Sequence, residues 1–102
     1  MIDFNHVTEK FNTMLTYWDR MQTLSGDEGA DAAELFEKTY YEYIDKLRKW
    51  YQTLHKKPTS FEQFEEMPEI EKMYEKIPGP LQINLITDLE EIFDGIEPKR
   101  FD

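Results

Sequence analysis

Apolar residues near the start of the chain fall at Phe4, Val7, Phe11, Met14, Trp18 and Met21, in steps of 3, 4, 3, 4, 3. Such steps keep side chains on one face of a 3.6-residue helix, so the spacing predicts an amphipathic helix. Leu15 and Leu24 stand beside the stripe, and Asp3 is placed to cap the first turn. The stretch "SGDEGAD" then breaks the pattern with two glycines, and Ser25 with Glu28 has the spacing of a capping box for a second helix.

The second run is the strongest signal: Ala33, Phe36, Tyr40, Tyr43, Leu47, Trp50 and Leu54, in steps of 3, 4, 3, 4, 3, 4. Ile44 and Tyr51 widen it, and Pro58 is expected to end it. Glu34–Lys38, Glu42–Lys46 and Asp45–Lys49 are acid-to-base pairs four apart. Each such pair stabilises by only about 0.2–0.5 kcal/mol, against about 1.5–3 kcal/mol for a buried large apolar side chain. The seam, not the salt pairs, decides this part of the fold.

Beyond Pro58 the elements shorten. Thr59–Glu62 and Ser60–Gln63 both have capping spacing, which predicts a short turn from Phe61 to Glu66. Pro68 suits the first turn of a further helix ending at Ile77, and "PGP" stops it. Phe61, Phe64, Met67, Ile70, Met73, Tyr74 and Ile77 would face the core. Leu85, Leu89, Ile92 and Ile96 have helical spacing with Gly95 as C-cap, yet "LQINL" alternates, so 81–87 reads as helix or extended. Helix is preferred over most of 81–94, because a lone strand would have no partner. The prediction is an all-α fold: a small helical bundle of two long antiparallel helices plus two or three shorter helices.

At 102 residues this is one acidic domain over 1–97, with 98–102 as a loose C-terminal tail. Without cysteine there is no disulfide, no thiolate nucleophile and no thiolate zinc site, which suits the cytoplasm. The N-terminus does not read as a signal peptide, and no apolar run is long enough for a membrane span.

Charge is uneven. The net value of -10 is made of segments 1–45 and 58–97, both strongly acidic, separated by 46–57 with five bases and no acid. Lys46, Arg48, Lys49, Lys56 and Lys57 beside Trp50 and Tyr51 are the ingredients of a nucleic-acid surface. The same residues also complement the helix dipole, with Asp27, Glu28, Asp31 and Glu34 at the opposite end. Surrounding acid argues against nucleic acid as a partner.

Reactive chemistry finds little footing. His6 and His55 lie on different helices with no HxxxH or ExxH spacing, so no metal and no cofactor are expected. The four glycines form no phosphate loop, and Ser25 and Ser60 sit where caps are needed. An enzyme is not expected.

The acids of the shorter helices are the candidate site: Glu62, Glu65, Glu66 and Glu69, then Asp88, Glu90, Glu91 and Asp94. Helical residues four apart rise about 6 Å, so such rows offer a dense negative surface to a basic protein partner, in effect imitating phosphates. Tyr41, off the seam, and Tyr51, on its shoulder, are candidate contact rings. Small acidic helical proteins of this kind include phage and mobile-element inhibitors, a resemblance of size, charge and helicity. The expected function is an acidic interaction module that binds or inhibits a basic partner, such as a nucleic-acid-processing protein. The alternative is a structural or assembly protein whose heptad seams form a homodimer.

Overall fold

Two alternating three–four seams demand two long helices, and the structure, a computed structural model describing residues 3–95, contains them. The fold is all-α, with no strand among the described residues. The expected tail 98–102 and the seam residue Ile96 lie outside the described residues. The chain groups into two compact units, Met1–Leu54 and His55–Asp102.

In the first unit, α1 (Phe4–Thr23) starts where Asp3 accepts the backbone N–H groups of Asn5 at 2.9 Å and His6 at 3.4 Å. The link to α2 (Gly26–Gln52) is only Leu24 and Ser25. Gly26, at φ +64°, turns the chain in the left-handed region that favours glycine. Ser25 occupies the cap position but its side chain makes no capping hydrogen bond, so backbone geometry replaces the expected capping box.

The helices run antiparallel, as three ring contacts show. Phe4 meets Trp50 at 4.8 Å, Phe11 meets Tyr43 at 5.2 Å, and Trp18 meets Phe36 at 5.4 Å between centroids. Each step moves seven residues forward on α1 and seven back on α2, which is one heptad on both. Val7, Phe11, Met14, Tyr40, Tyr43, Leu47 and Trp50 are buried, as the seams predicted. Near the turn the seam loosens: Trp18, Met21 and Phe36 are only half-buried, and Ala32 rather than Ala33 is buried.

Three details differ from the sequence reading. Glu42 reaches Lys10 of α1 at 3.4 Å, and Asp45 takes Arg48 at 2.9 Å. α2 also stops at Gln52, before Pro58. Its end tightens into i to i+3 bonds: Thr53 N–H donates to the Trp50 carbonyl and Leu54 N–H to that of Tyr51. The Thr53 hydroxyl also donates to the Trp50 carbonyl, at 2.6 Å.

The second unit is built from α3 (Phe61–Glu65), α4 (Pro68–Lys76), a 3-10 turn (Gly79–Leu81) and α5 (Gln82–Asp94). Pro68 occupies the first turn of α4, and Met67 before it is extended, as a residue preceding proline prefers. The 3-10 turn, closed by Leu81 N–H on the Pro78 carbonyl, leads directly into α5. The alternating "LQINL" is therefore helical from Gln82 on, and the Thr87 hydroxyl donates to the Ile83 carbonyl within α5. Gly95 ends α5 at φ +76°. Phe64, Ile70, Leu85 and Leu89 are fully buried. No helix of the described residues is long and apolar enough to cross a membrane.

Candidate functional site

A five-residue helix is too short to persist on backbone hydrogen bonds alone. α3 is held at its start by Ser60, whose hydroxyl accepts Gln63 N–H at 3.2 Å. The Gln63 side-chain oxygen reaches back to accept the N–H and hydroxyl of Thr59, at 3.0 and 2.8 Å. On the inner face, Phe61 and Phe64 lie 6.0 and 6.4 Å from the Phe93 ring of α5. Anchoring by these rings leaves Glu62 and Glu66 exposed, with Glu65 half-buried.

Glu65 accepts a hydrogen bond from the Tyr74 hydroxyl at 2.7 Å, tying α3 to α4. The Tyr74 phenol holds its proton well above the ordinary tyrosine range. Burial is the largest cause, followed by the hydrogen bond to Glu65 and the charges of Glu65 and Glu90. Carboxylates from α3 and α5 thus act on one phenol of α4.

The other candidates fall around this point in different states. Glu90 and Asp94 are exposed; Glu69, Asp88 and Glu91 are half-buried. Glu69 lies in the first turn of α4, where the helix dipole favours an acid. Tyr74 itself is read from periodicity as a core residue; a phenol bonded to a carboxylate on another helix leaves no signature in spacing.

The two tyrosines singled out on α2 separate. Tyr41 is 42% exposed, as its off-seam position predicts. Tyr51 is only 7% exposed, which corrects its reading as an accessible contact ring. It follows Ile44 by seven and Leu47 by four, so it extends a buried row, and burial raises its phenol pKa. Trp50 is likewise buried, so neither ring beside the lysines offers a stacking platform. Arg48 is mostly buried and pairs with Asp45, while Lys49, Lys56 and Lys57 are exposed. The dipole reading of α2 fits: Asp27 and Glu28 in its first turn, Lys49 in its last.

His6 lies 3.6 Å from Asp3 at the exposed start of α1. Among the described residues no group of three or more histidines and carboxylates is placed to hold a metal ion. No protein-family model, curated protein or solved structure matches this chain.

Proposed function

We propose that the chain is a non-enzymatic interaction module whose shorter helices present an acidic face to a basic protein partner, such as a nucleic-acid-processing protein that the face would inhibit. The observation that supports this reading is the density of acid on the shorter helices, where Glu65 is held against Tyr74 and Glu90 of α5 is exposed. Exposed Glu62 and Glu66 of α3, and exposed Asp94 of α5, extend the acid beyond it. Over 61–94 there are ten acids and two bases. Such a surface attracts a basic cleft strongly at low salt and loses that attraction as salt screens it.

The test is capture of lysate proteins on the immobilised chain at low and high salt. Basic proteins should be retained at low salt and released at high salt. Reversing Glu62, Glu66 and Asp94 to lysine should abolish retention with helix content unchanged. These three are better targets than Glu65, which supports Tyr74. Capture of no basic protein at low salt would sink the proposal.

A further inference from the structure

Asp94–Gly95 is the one place in the sequence where glycine directly follows aspartate, and glycine follows asparagine nowhere. This dipeptide has a backbone chemistry of its own. The amide nitrogen after an aspartate can attack the side-chain carboxyl carbon and close a five-membered ring. The side chain of most following residues obstructs that attack, whereas glycine has no Cβ to do so. Asp94 is exposed, so water reaches the ring once it has formed.

The fold sets this step at the last residue of α5 and its C-cap. Asp94 is helical, and Gly95 follows in the left-handed region, at φ +76° and ψ 18°. A Cβ at Gly95 would meet nothing within 4 Å, so its φ and not crowding calls for glycine here. The Gly95 N–H turns back into the helix, donating to the Ile92 carbonyl at 3.1 Å and engaging that of Glu91. Ring closure needs Asp94 to leave its helical ψ, so that the carboxyl swings over the Gly95 nitrogen. The closed turn therefore keeps the two reacting groups apart. Buried Leu89 and Ile92 anchor that turn.

We propose that Asp94–Gly95 is a modification site, at which aspartate rearranges to isoaspartate when the C-terminal turn of α5 opens. The Gly95 nitrogen bonds to the Asp94 side-chain carboxyl carbon. The nitrogen gives up its proton and the carboxyl its hydroxyl, which leave together as water. Water then opens the cyclic imide. Addition at the side-chain carbonyl restores aspartate. Addition at the main-chain carbonyl breaks its bond to nitrogen, and the chain now runs through the Asp94 Cβ. The product has the same mass and still carries one carboxylate, but its backbone is one carbon longer at the cap. No oxidant, metal or second protein is consumed. Helix ends open more readily than buried interiors, so the site records the opening of this turn.

Incubation of the full chain in one mildly acidic buffer, with and without guanidinium, tests the proposal. Peptide mapping against an unincubated control, with electron-transfer fragmentation, distinguishes isoaspartate from aspartate at equal mass. Isoaspartate should accumulate at residue 94 in the denatured chain, and about tenfold or more slowly in the native one. Asp94→Glu should lose the product in both conditions, because its longer side chain must close a six-membered ring. Ile92→Ala, which removes an anchor of the turn, should raise the native rate toward the denatured one. Absence of isoaspartate at residue 94 in the denatured chain, equal rates in the two conditions, or an Ile92→Ala rate no faster than wild type overturns the proposal. None of these readouts involves a partner of the acidic face, so the two proposals fail separately.

Discussion

The hairpin of α1 and α2 and the group of α3 to α5 reach the same end, buried aromatic and aliphatic side chains, by different means. The hairpin repeats one contact at heptad intervals, with Phe4–Trp50, Phe11–Tyr43 and Trp18–Phe36 as its rungs. Its helices of 20 and 27 residues spread the cost of nucleation over many turns. The shorter helices have no repeat. α3 depends on one cap, two phenylalanines and a hydrogen bond to a tyrosine on another helix. Redundancy therefore protects the long helices, while each contact of the short ones is singular.

The largest effect expected from breaking that contrast is at Phe64. Phe64→Ala removes a fully buried ring that approaches both Phe61 and Phe93. It should cost about 3–5 kcal/mol, measured by denaturant unfolding. Phe11→Ala, in a hairpin with two other ring rungs, should stay at or below the lower end of that range. A larger loss at Phe11 than at Phe64 would reverse the comparison.

Caps should separate the regions next. Ser60→Ala and Asp3→Ala each remove a side-chain acceptor, worth about 1 kcal/mol. Hydrogen exchange should show the difference in extent: all of α3 opens in the first variant, and only the first turn of α1 in the second. Equal spread of exchange in both would show that length does not confer the protection claimed for α1.

Tyr74→Phe should cost about 0.5–1.5 kcal/mol near neutral pH, for one hydrogen bond. The pH dependence is more telling. Folding raises the Tyr74 pKa, so the folded chain holds that proton more tightly than the unfolded chain. The resulting stability is fully present below the unfolded value of about 10 and declines as pH rises above it. Wild type should therefore lose stability above about pH 10 more steeply than Tyr74→Phe. Parallel curves would show that folding does not raise the Tyr74 pKa. The smallest effect is at Lys10–Glu42, where a double-mutant cycle should give below about 1 kcal/mol and fall with salt.

Much of the fold is legible in spacing because helical periodicity is a local property. The caps at Asp3, Ser60 and Gly95 and the first-turn role of Pro68 follow from single residues and their backbone preferences. Where the reading differed, a competing local bond or a distant neighbour decided. α2 ended early because its last turn tightened onto the Trp50 and Tyr51 carbonyls, so Pro58 was not the stop. Glu42 and Asp45 took Lys10 and Arg48, one of them on another helix. Tyr51 stood on the shoulder of a stripe, where burial depends on how wide the packed face becomes.

The sequence by itself determined the helices, most of their caps, the seam and the concentration of acid beyond Pro58, since each depends on residues within a turn or two of one another. Only the tertiary structure decided that Glu65 accepts the Tyr74 hydroxyl, that Lys10 of α1 reaches Glu42 of α2, and that Tyr51 is buried. Those relations join side chains on different helices. They depend on where packed helices place their edges, which no one-dimensional spacing records.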